Sequence, residues 1–269
     1  MTRLNSQYHA QPALRRTTVM AALLCAFTGL LCTNPAGARH ALRSAVPVVK
    51  LASPKASAEI QRDQKCRIIY LGFVGALEPA HNKHSGVVQI GDLLQGKDFP
   101  DVCSKTYSPY VWGEGLHWLL THFPSHSGVL SDEELSLAPR VILVGHSMGG
   151  WAMINVARKL NSRDIPVELT IQVDSVGITD YTLPRNINYA AIFHARDVLM
   201  PLTTKKLRLE DPSHTKLLKN VTVKGAGHES ITRDPRIREL VMQTIADLRA
   251  SYKINPVIAA TSSANPAKE

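Results

Sequence analysis

Short runs of branched aliphatic residues recur along most of the chain and predict buried β-strands. Each run has few polar positions and ends near a glycine or an aspartate, as expected for strands covered on both faces. The predicted strands are RIIYLG (67–72), VILVG (141–145), ELTIQVD (168–174), YAAIFHA (189–195) and NVTVKG (220–225), with a further strand expected near KTYSPYV (105–111).

The segments between these runs have apolar residues at helical spacing. The last of them begins with Asp-Pro and places Ile237, Val241, Ile245 and Leu248 on one stripe, which is typical of a helix with one buried face. The alternation of strands and helices predicts a single α/β domain with a mostly parallel sheet of about six strands and helices on both faces. The predicted helices are VVQIGDLLQ (87–95), GEGLHWLLTHF (113–123), WAMINVARKL (151–160) and DPRIRELVMQTIADLRASY (234–252).

The first 38 residues have a different pattern, which is typical of a secretory signal peptide. Arg15 and Arg16 precede an apolar run at 19–31, and small residues follow up to Ala38, where cleavage is expected. The apolar run is shorter than the ~20 residues that a membrane-spanning helix needs. We therefore expect an exported protein, periplasmic or extracellular, without a stable membrane span once 1–38 is removed.

Composition divides the rest of the chain into three parts. Residues 39–65 are rich in Ala, Pro, Ser and Lys and predict a flexible linker. The folded domain is expected at 66–254, and residues 255–269 have the composition of a disordered tail.

Charge and cysteine content narrow the range of partners. The formal net charge is +9, and it falls to +6 when the three arginines of 1–38 are removed. Because the chain has no dense Lys/Arg tract with interleaved aromatic residues, nucleic acid is not an expected partner. Two cysteines, Cys66 and Cys103, remain outside the signal peptide, and an even pair in an exported chain predicts a disulfide.

The segment VILVGHSMGG at 141–150 carries the chemistry. Gly145, Ser147 and Gly149 match G-x-S-x-G between a predicted strand and a predicted helix, the context in which a serine is exposed on a sharp turn as a nucleophile. The amino end of the following helix also favours negative charge at this position. Ser147 is therefore the predicted nucleophile.

A serine nucleophile needs a base, and the base needs a carboxylate. His228 is the predicted base because GAGHES follows a late strand and precedes the final helix. Asp197, in FHARDVLMP, is the favoured acid because it completes the chain order Ser, Asp, His. Asp174, at the end of the strand after the serine, remains the alternative, and Asp180 ranks behind both.

Acyl transfer also requires N–H donors for the oxyanion. We expect them from the backbone of Met148, directly after the nucleophile, and of Phe73 in the LGFVG turn after the first strand. His81 and His84 are close enough in sequence to suggest a metal site, but no carboxylate or cysteine cluster accompanies them. No metal and no organic cofactor are expected.

Together, VILVGHSMGG, LGFVG, HARDVLMP and GAGHES resemble the α/β-hydrolase superfamily, in particular its lipase and esterase branch. The resemblance implies a mainly parallel sheet with the catalytic groups on loops at its carboxyl edge. Only 22 residues separate Asp174 from Asp197, which leaves no room for a large cap and favours a compact, cutinase-like core. In this superfamily the strands that begin after Cys66 and Cys103 are parallel neighbours, which would bring both thiols within disulfide distance.

The expected function is that of an exported serine hydrolase that cleaves carboxylic esters, small-molecule or lipid, through an acyl-enzyme. A thioesterase or an amidase uses the same triad, because one site can serve all acyl transfers. A non-catalytic envelope or binding protein on the same fold is the alternative from a different class.

Overall fold

The computed structural model describes residues 66–123, 129–177, 179–196 and 203–254. Its centre is a six-stranded sheet in which every neighbouring pair of strands is parallel, in the order β2-β1-β3-β4-β6-β8. The strands are β1 Ile68–Phe73, β2 Val102–Tyr107, β3 Arg140–His146, β4 Val167–Val173, β6 Ile187–Ala195 and β8 Lys216–Val223, and a separate short pair is formed by β5 Thr182–Leu183 and β7 Arg208–Leu209.

Helices cover both faces of this sheet. They are α1 Gly86–Leu94, α2 Trp112–Leu120, α3 Asp132–Leu137, α4 Met148–Asn161 and α5 Pro235–Ile254, with 3₁₀ turns at Pro109–Val111 and Ser230–Arg233. Alternate residues of a strand point to opposite faces, and β3 follows this rule. Val141 and Leu143 pack with the core that includes α2 and α4, whereas Ile142 and Val144 pack with the core that includes α1 and α5.

The predicted α/β class is confirmed, including the six strands and the helices on both faces. The strand expected at 220–225 is β8, which begins at Lys216. The strand expected near 105–111 is β2, which ends at Tyr107. Pro109 opens a 3₁₀ turn there, because proline has no N–H to continue a sheet ladder. The short elements α3, β5 and β7 were not predicted, since six residues or fewer carry little periodic signal.

The predicted disulfide between Cys66 and Cys103 is present, with the two Cα atoms 5.4 Å apart. It joins the start of β1 to β2, where Ile69 is the register partner of Cys103. The parallel pairing of these strands brings both cysteines to the same end of the sheet.

The predicted signal peptide, linker and C-terminal tail lie outside the described residues. Within the described ranges, no helix is both long enough and apolar enough to cross a membrane.

Candidate active site

Ser147 lies on a strained turn between β3 and α4. Its φ of 53° and ψ of −126° are unfavourable for a residue with a side chain, and such strain persists only where the surroundings enforce it. The surroundings are tightly packed backbone. A Cβ added to Gly145 would lie 2.4 Å from the Gly149 carbonyl oxygen, and one added to Gly149 would lie 2.4 Å from the Phe73 carbonyl oxygen. The glycines of the motif are therefore required by the close approach of β1, β3 and α4.

A third glycine of this turn, Gly150, approaches the next strand connection. A Cβ at this position would lie 1.8 Å from Ser175 Oγ. Ser175 comes directly after Asp174 in the loop that follows β4, so the amino end of α4 packs against the loop that carries Asp174.

The structure brings Ser147, His228 and Asp174 into one hydrogen-bonded chain. The distance from Ser147 Oγ to His228 Nε2 is 2.9 Å, and that from His228 Nδ1 to Asp174 Oδ2 is 2.6 Å. The Asp174 side chain is 1% exposed and the His228 side chain is 18% exposed. The carboxylate therefore lies in the interior, and the imidazole is partly accessible to solvent. Each residue follows the carboxyl end of a parallel strand, and this brings them to one edge of the sheet.

Asp174 is held by its own backbone environment. Its amide donates to the Phe193 carbonyl at 2.6 Å, and its Oδ1 accepts the Ala195 N–H at 3.0 Å. Its φ is 43°, another conformation that is uncommon outside glycine. Both carboxylate oxygens thus have donors, as a fully buried carboxylate requires.

The other acids predicted from the sequence are placed differently. Asp197 lies outside the described residues. Asp180 is fully buried and accepts hydrogen bonds from the hydroxyls of Ser175 and, at 3.0 Å, Thr204. Burial raises the pKa of Asp180 and the two hydroxyl donors only partly oppose this effect. Through its hydrogen bonds with Ser175 and Thr204, Asp180 stabilises the loop that follows Asp174.

The predicted oxyanion donors differ in their surroundings. Met148 is the first residue of α4, so its amide belongs to the helix-end donors that have no intrahelical partner. Phe73 is the last residue of β1 and pairs with Tyr107 and Gly145. The Val74 amide donates to Tyr107 at 3.1 Å, and successive amides of a central strand alternate sides. The Phe73 amide is therefore directed toward β3, within the sheet.

A second contact between a carboxylate and an imidazole, which was not predicted from the sequence, adjoins the hydrogen bonds of Ser147, His228 and Asp174. His146 Nδ1 is 3.2 Å from Glu78 Oε2, and His146 Nε2 is 2.8 Å from the His228 carbonyl oxygen. Glu78 also accepts the Gly75 N–H at 3.1 Å. The sequence offered one weak signal for this contact, a carboxylate shortly after the glycine turn that follows β1.

Glu78 is ionised in this environment. Burial raises its pKa, but the hydrogen bonds from His146 and Gly75 and the electrostatic interaction with His146 outweigh burial and lower the pKa to about 2. The site therefore contains two carboxylates, one on each imidazole.

The described residues contain one group of three potential metal ligands, formed by Cys66, Cys103 and His122. Both sulfur atoms of this group belong to the disulfide, so they do not serve as thiolate ligands.

Neither models of protein families nor curated protein sequences match this chain. Several solved structures are similar at low identity. Est1E from Butyrivibrio proteoclasticus is 11% identical with a TM-score of 0.36, over 69% of this chain and 91% of its own. The NocB thioesterase domain from the nocardicin cluster is 12% identical with a TM-score of 0.37, over 67% of this chain and 95% of its own. A lipase-esterase related protein from Clostridium acetobutylicum is 11% identical with a TM-score of 0.36, over 68% of this chain and 96% of its own.

The α/β-hydrolase-like fold that the sequence predicts is present in this chain. It is recognised here from the parallel sheet and from the strand, strained serine turn and helix around Ser147, which are the structural context of a nucleophile elbow.

Proposed function

We propose that this protein is a serine hydrolase that cleaves carboxylic esters through an acyl-enzyme. The observation that carries the proposal is the continuous hydrogen-bonded chain from Ser147 through His228 to Asp174 at the carboxyl edge of the sheet. Asp174 is the proposed acid, in place of the initially favoured Asp197, because it contacts the imidazole directly.

The first half-reaction forms the acyl-enzyme. Ser147 Oγ attacks the ester carbonyl carbon while His228 Nε2 takes the hydroxyl proton, and Asp174 stabilises the resulting imidazolium. The negative charge moves to the carbonyl oxygen, next to the Met148 amide and the amino end of α4. The intermediate collapses with cleavage of the ester C–O bond, and His228 returns its proton to the leaving alkoxide.

The second half-reaction releases the acid. His228 takes a proton from water, the resulting hydroxide attacks the acyl carbon, and the bond to Ser147 Oγ breaks as His228 returns the proton to it. No metal or organic cofactor enters either step.

Exposed apolar side chains near the turn support an ester with an apolar part. Leu77 is 62% exposed and lies two residues after Gly75, at which a Cβ would be 3.5 Å from the Ser147 Cβ. Tyr110 is 53% exposed on the 3₁₀ turn after β2, which packs against α4. Both side chains offer surface to the acyl or alcohol group.

Export is part of the proposal. The predicted signal peptide at 1–38 and the disulfide between Cys66 and Cys103 support it, because disulfides persist in oxidising compartments. Amino-terminal sequencing of the secreted protein should start at Arg39.

The decisive experiment compares wild type with Ser147→Ala on p-nitrophenyl esters of increasing chain length, alongside a thioester and an amide. Ser162→Ala, at the exposed far end of α4, is the matched control. We expect turnover to be lost only in Ser147→Ala, with oxygen esters cleaved fastest. A thioester or amide preference would reassign the substrate, and full activity in Ser147→Ala would refute the mechanism.

A fluorophosphonate probe separates an enzyme from a binding protein. The probe should label wild type and Ser162→Ala at Ser147 and leave Ser147→Ala unlabelled. A folded wild-type protein that takes up no label would favour the non-catalytic alternative.

A further inference from the structure

We infer that Glu78 and His146 form a clamp that positions the base of the proposed reaction by holding the backbone carbonyl of His228. This inference rests on the proposed function and adds two positioning residues to it. Neither side chain contacts the nucleophile hydroxyl, so both act through His228.

The hydrogen-bond directions follow from the chemistry of the partners. A carbonyl oxygen only accepts, so His146 Nε2 carries the hydrogen of its 2.8 Å contact with His228. The partner of His146 Nδ1 at 3.2 Å is an ionised carboxylate of Glu78, which also only accepts. Both contacts are hydrogen bonds when both ring nitrogens carry hydrogen, and the clamp is then charge-assisted. The His146 side chain is 4% exposed, which shields this contact from solvent.

Glu78 is fixed independently of His228. Its Oε2 accepts the Gly75 amide at 3.1 Å, and its Oε1 accepts Asn82 Nδ2 at 3.0 Å. These donors belong to the same loop after β1. The carboxylate is thus anchored on one side of the active site, and His146 connects it to the other side.

His228 needs such a constraint because of its position in the chain. It follows β8 through a segment with two glycines, of which Gly225 has a φ of 77°. His146 is the last residue of β3 and directly precedes Ser147. A hydrogen bond from His146 to the His228 backbone therefore ties the base to the residue beside Ser147 and limits changes in the Oγ to Nε2 distance.

The same geometry predicts what is lost when the clamp is removed. The imidazole of His228 would still bond to Asp174, but its backbone would be free to shift relative to the turn. A displacement of ~1 Å at a reacting group costs on the order of 10²-fold in rate. Because removal of the clamp leaves the substrate contacts unchanged, we expect kcat to fall and KM to stay the same.

The test uses His146→Ala, His146→Gln, Glu78→Gln and the double variant Glu78→Gln/His146→Ala. A glutamine can place an amide N–H near the position of Nε2 and donate to the His228 carbonyl. We expect kcat to fall about 10²-fold in His146→Ala with KM within about twofold, and His146→Gln to recover at least about tenfold of the loss. His194→Gln is the matched control and should keep wild-type kinetics, because His194 is a buried histidine of β6 whose side chain contacts β8.

The double variant tests whether Glu78 acts through His146. Interacting residues give non-additive effects in a double-mutant cycle. The double variant should lose no more rate than His146→Ala alone. Additive losses, or wild-type kcat in His146→Ala, would overturn the clamp. Should His146→Ala not fold, wild-type kcat in Glu78→Gln would overturn it equally.

A readout that needs no turnover separates this inference from the proposed function. The hydrogen on His228 Nδ1, bonded to Asp174, gives a proton NMR signal in ¹⁵N-histidine-labelled protein. The signal should broaden or shift in His146→Ala and be restored in His146→Gln. This result does not depend on whether Ser147→Ala loses activity. An identical signal in all three proteins would overturn the clamp and leave the hydrolase proposal intact.

Discussion

Replacement of Asp174 by asparagine tests the assignment of the acid most directly. The two side chains have nearly the same shape, so Oδ1 can still accept the Ala195 N–H at 3.0 Å. The Oδ2 position becomes an NH₂ group at 2.6 Å from His228 Nδ1, and two donors cannot share one hydrogen bond. His228 must therefore present a bare Nδ1 and carry its hydrogen on Nε2, where it can no longer accept the Ser147 proton.

The size of this effect follows from the wrong tautomer together with the loss of the charge beside the imidazolium. A loss of roughly 10⁴ in kcat is typical when the triad acid is neutralised. This factor corresponds to about 5.5 kcal/mol of activation free energy. We expect kcat on p-nitrophenyl acetate to fall by this factor, while the thermal unfolding midpoint shows that the variant is folded.

Asp197→Asn, measured in the same assay, is the natural comparison because Asp197 competes for the same role. It should retain activity within about tenfold of wild type, well short of the loss expected for a triad acid. A larger loss in Asp197→Asn than in Asp174→Asn, or an active Asp174→Asn, would show that the contact between Asp174 and His228 is not the one used in catalysis.

Three further predictions concern stability, each measured by urea unfolding. Gly150→Ala should destabilise the fold by about 1 to 3 kcal/mol, because the added Cβ clashes with Ser175. A Cβ added at Gly113 in α2 meets nothing within 4 Å, so Gly113→Ala should be neutral or stabilising by up to about 1 kcal/mol. Equal effects of the two substitutions would contradict the packing described. Cys103→Ser opens a loop with a sequence separation of 37 to Cys66 and should cost roughly 3 to 4 kcal/mol, and an unchanged free energy would argue against the disulfide. The pKa of Glu78 is lowered from 4.5 to about 2 by folding, so its ionisation stabilises the fold above about pH 4.5 and this contribution is lost as the pH falls toward 2. The stability difference between wild type and Glu78→Gln should therefore shrink by about 2 kcal/mol from about pH 6 to about pH 3, and a constant difference would exclude an ionised Glu78.

Local sequence pattern was sufficient for most of the fold. Strands such as β3 and β4 are buried on both faces and read as continuous branched aliphatic runs, and α5 shows its buried stripe directly. The Ser147 turn was also accessible from sequence, because its strain and its close backbone contacts require glycines at fixed spacing. His228 followed from its place after a late strand.

The acid and the clamp depended on the tertiary structure. Asp174 and Asp197 both follow strands, and residue order along the chain cannot say which carboxylate turns toward an imidazole 54 residues away from Asp174. The contact between Glu78 and His146 spans 68 residues, and that between His146 and His228 spans 82. A periodic pattern reports which face of its own element a residue occupies. Hydrogen bonds between loops at the same edge of a sheet depend on the strand order and on backbone angles such as the positive φ of Asp174, and these are set only when the sheet is assembled.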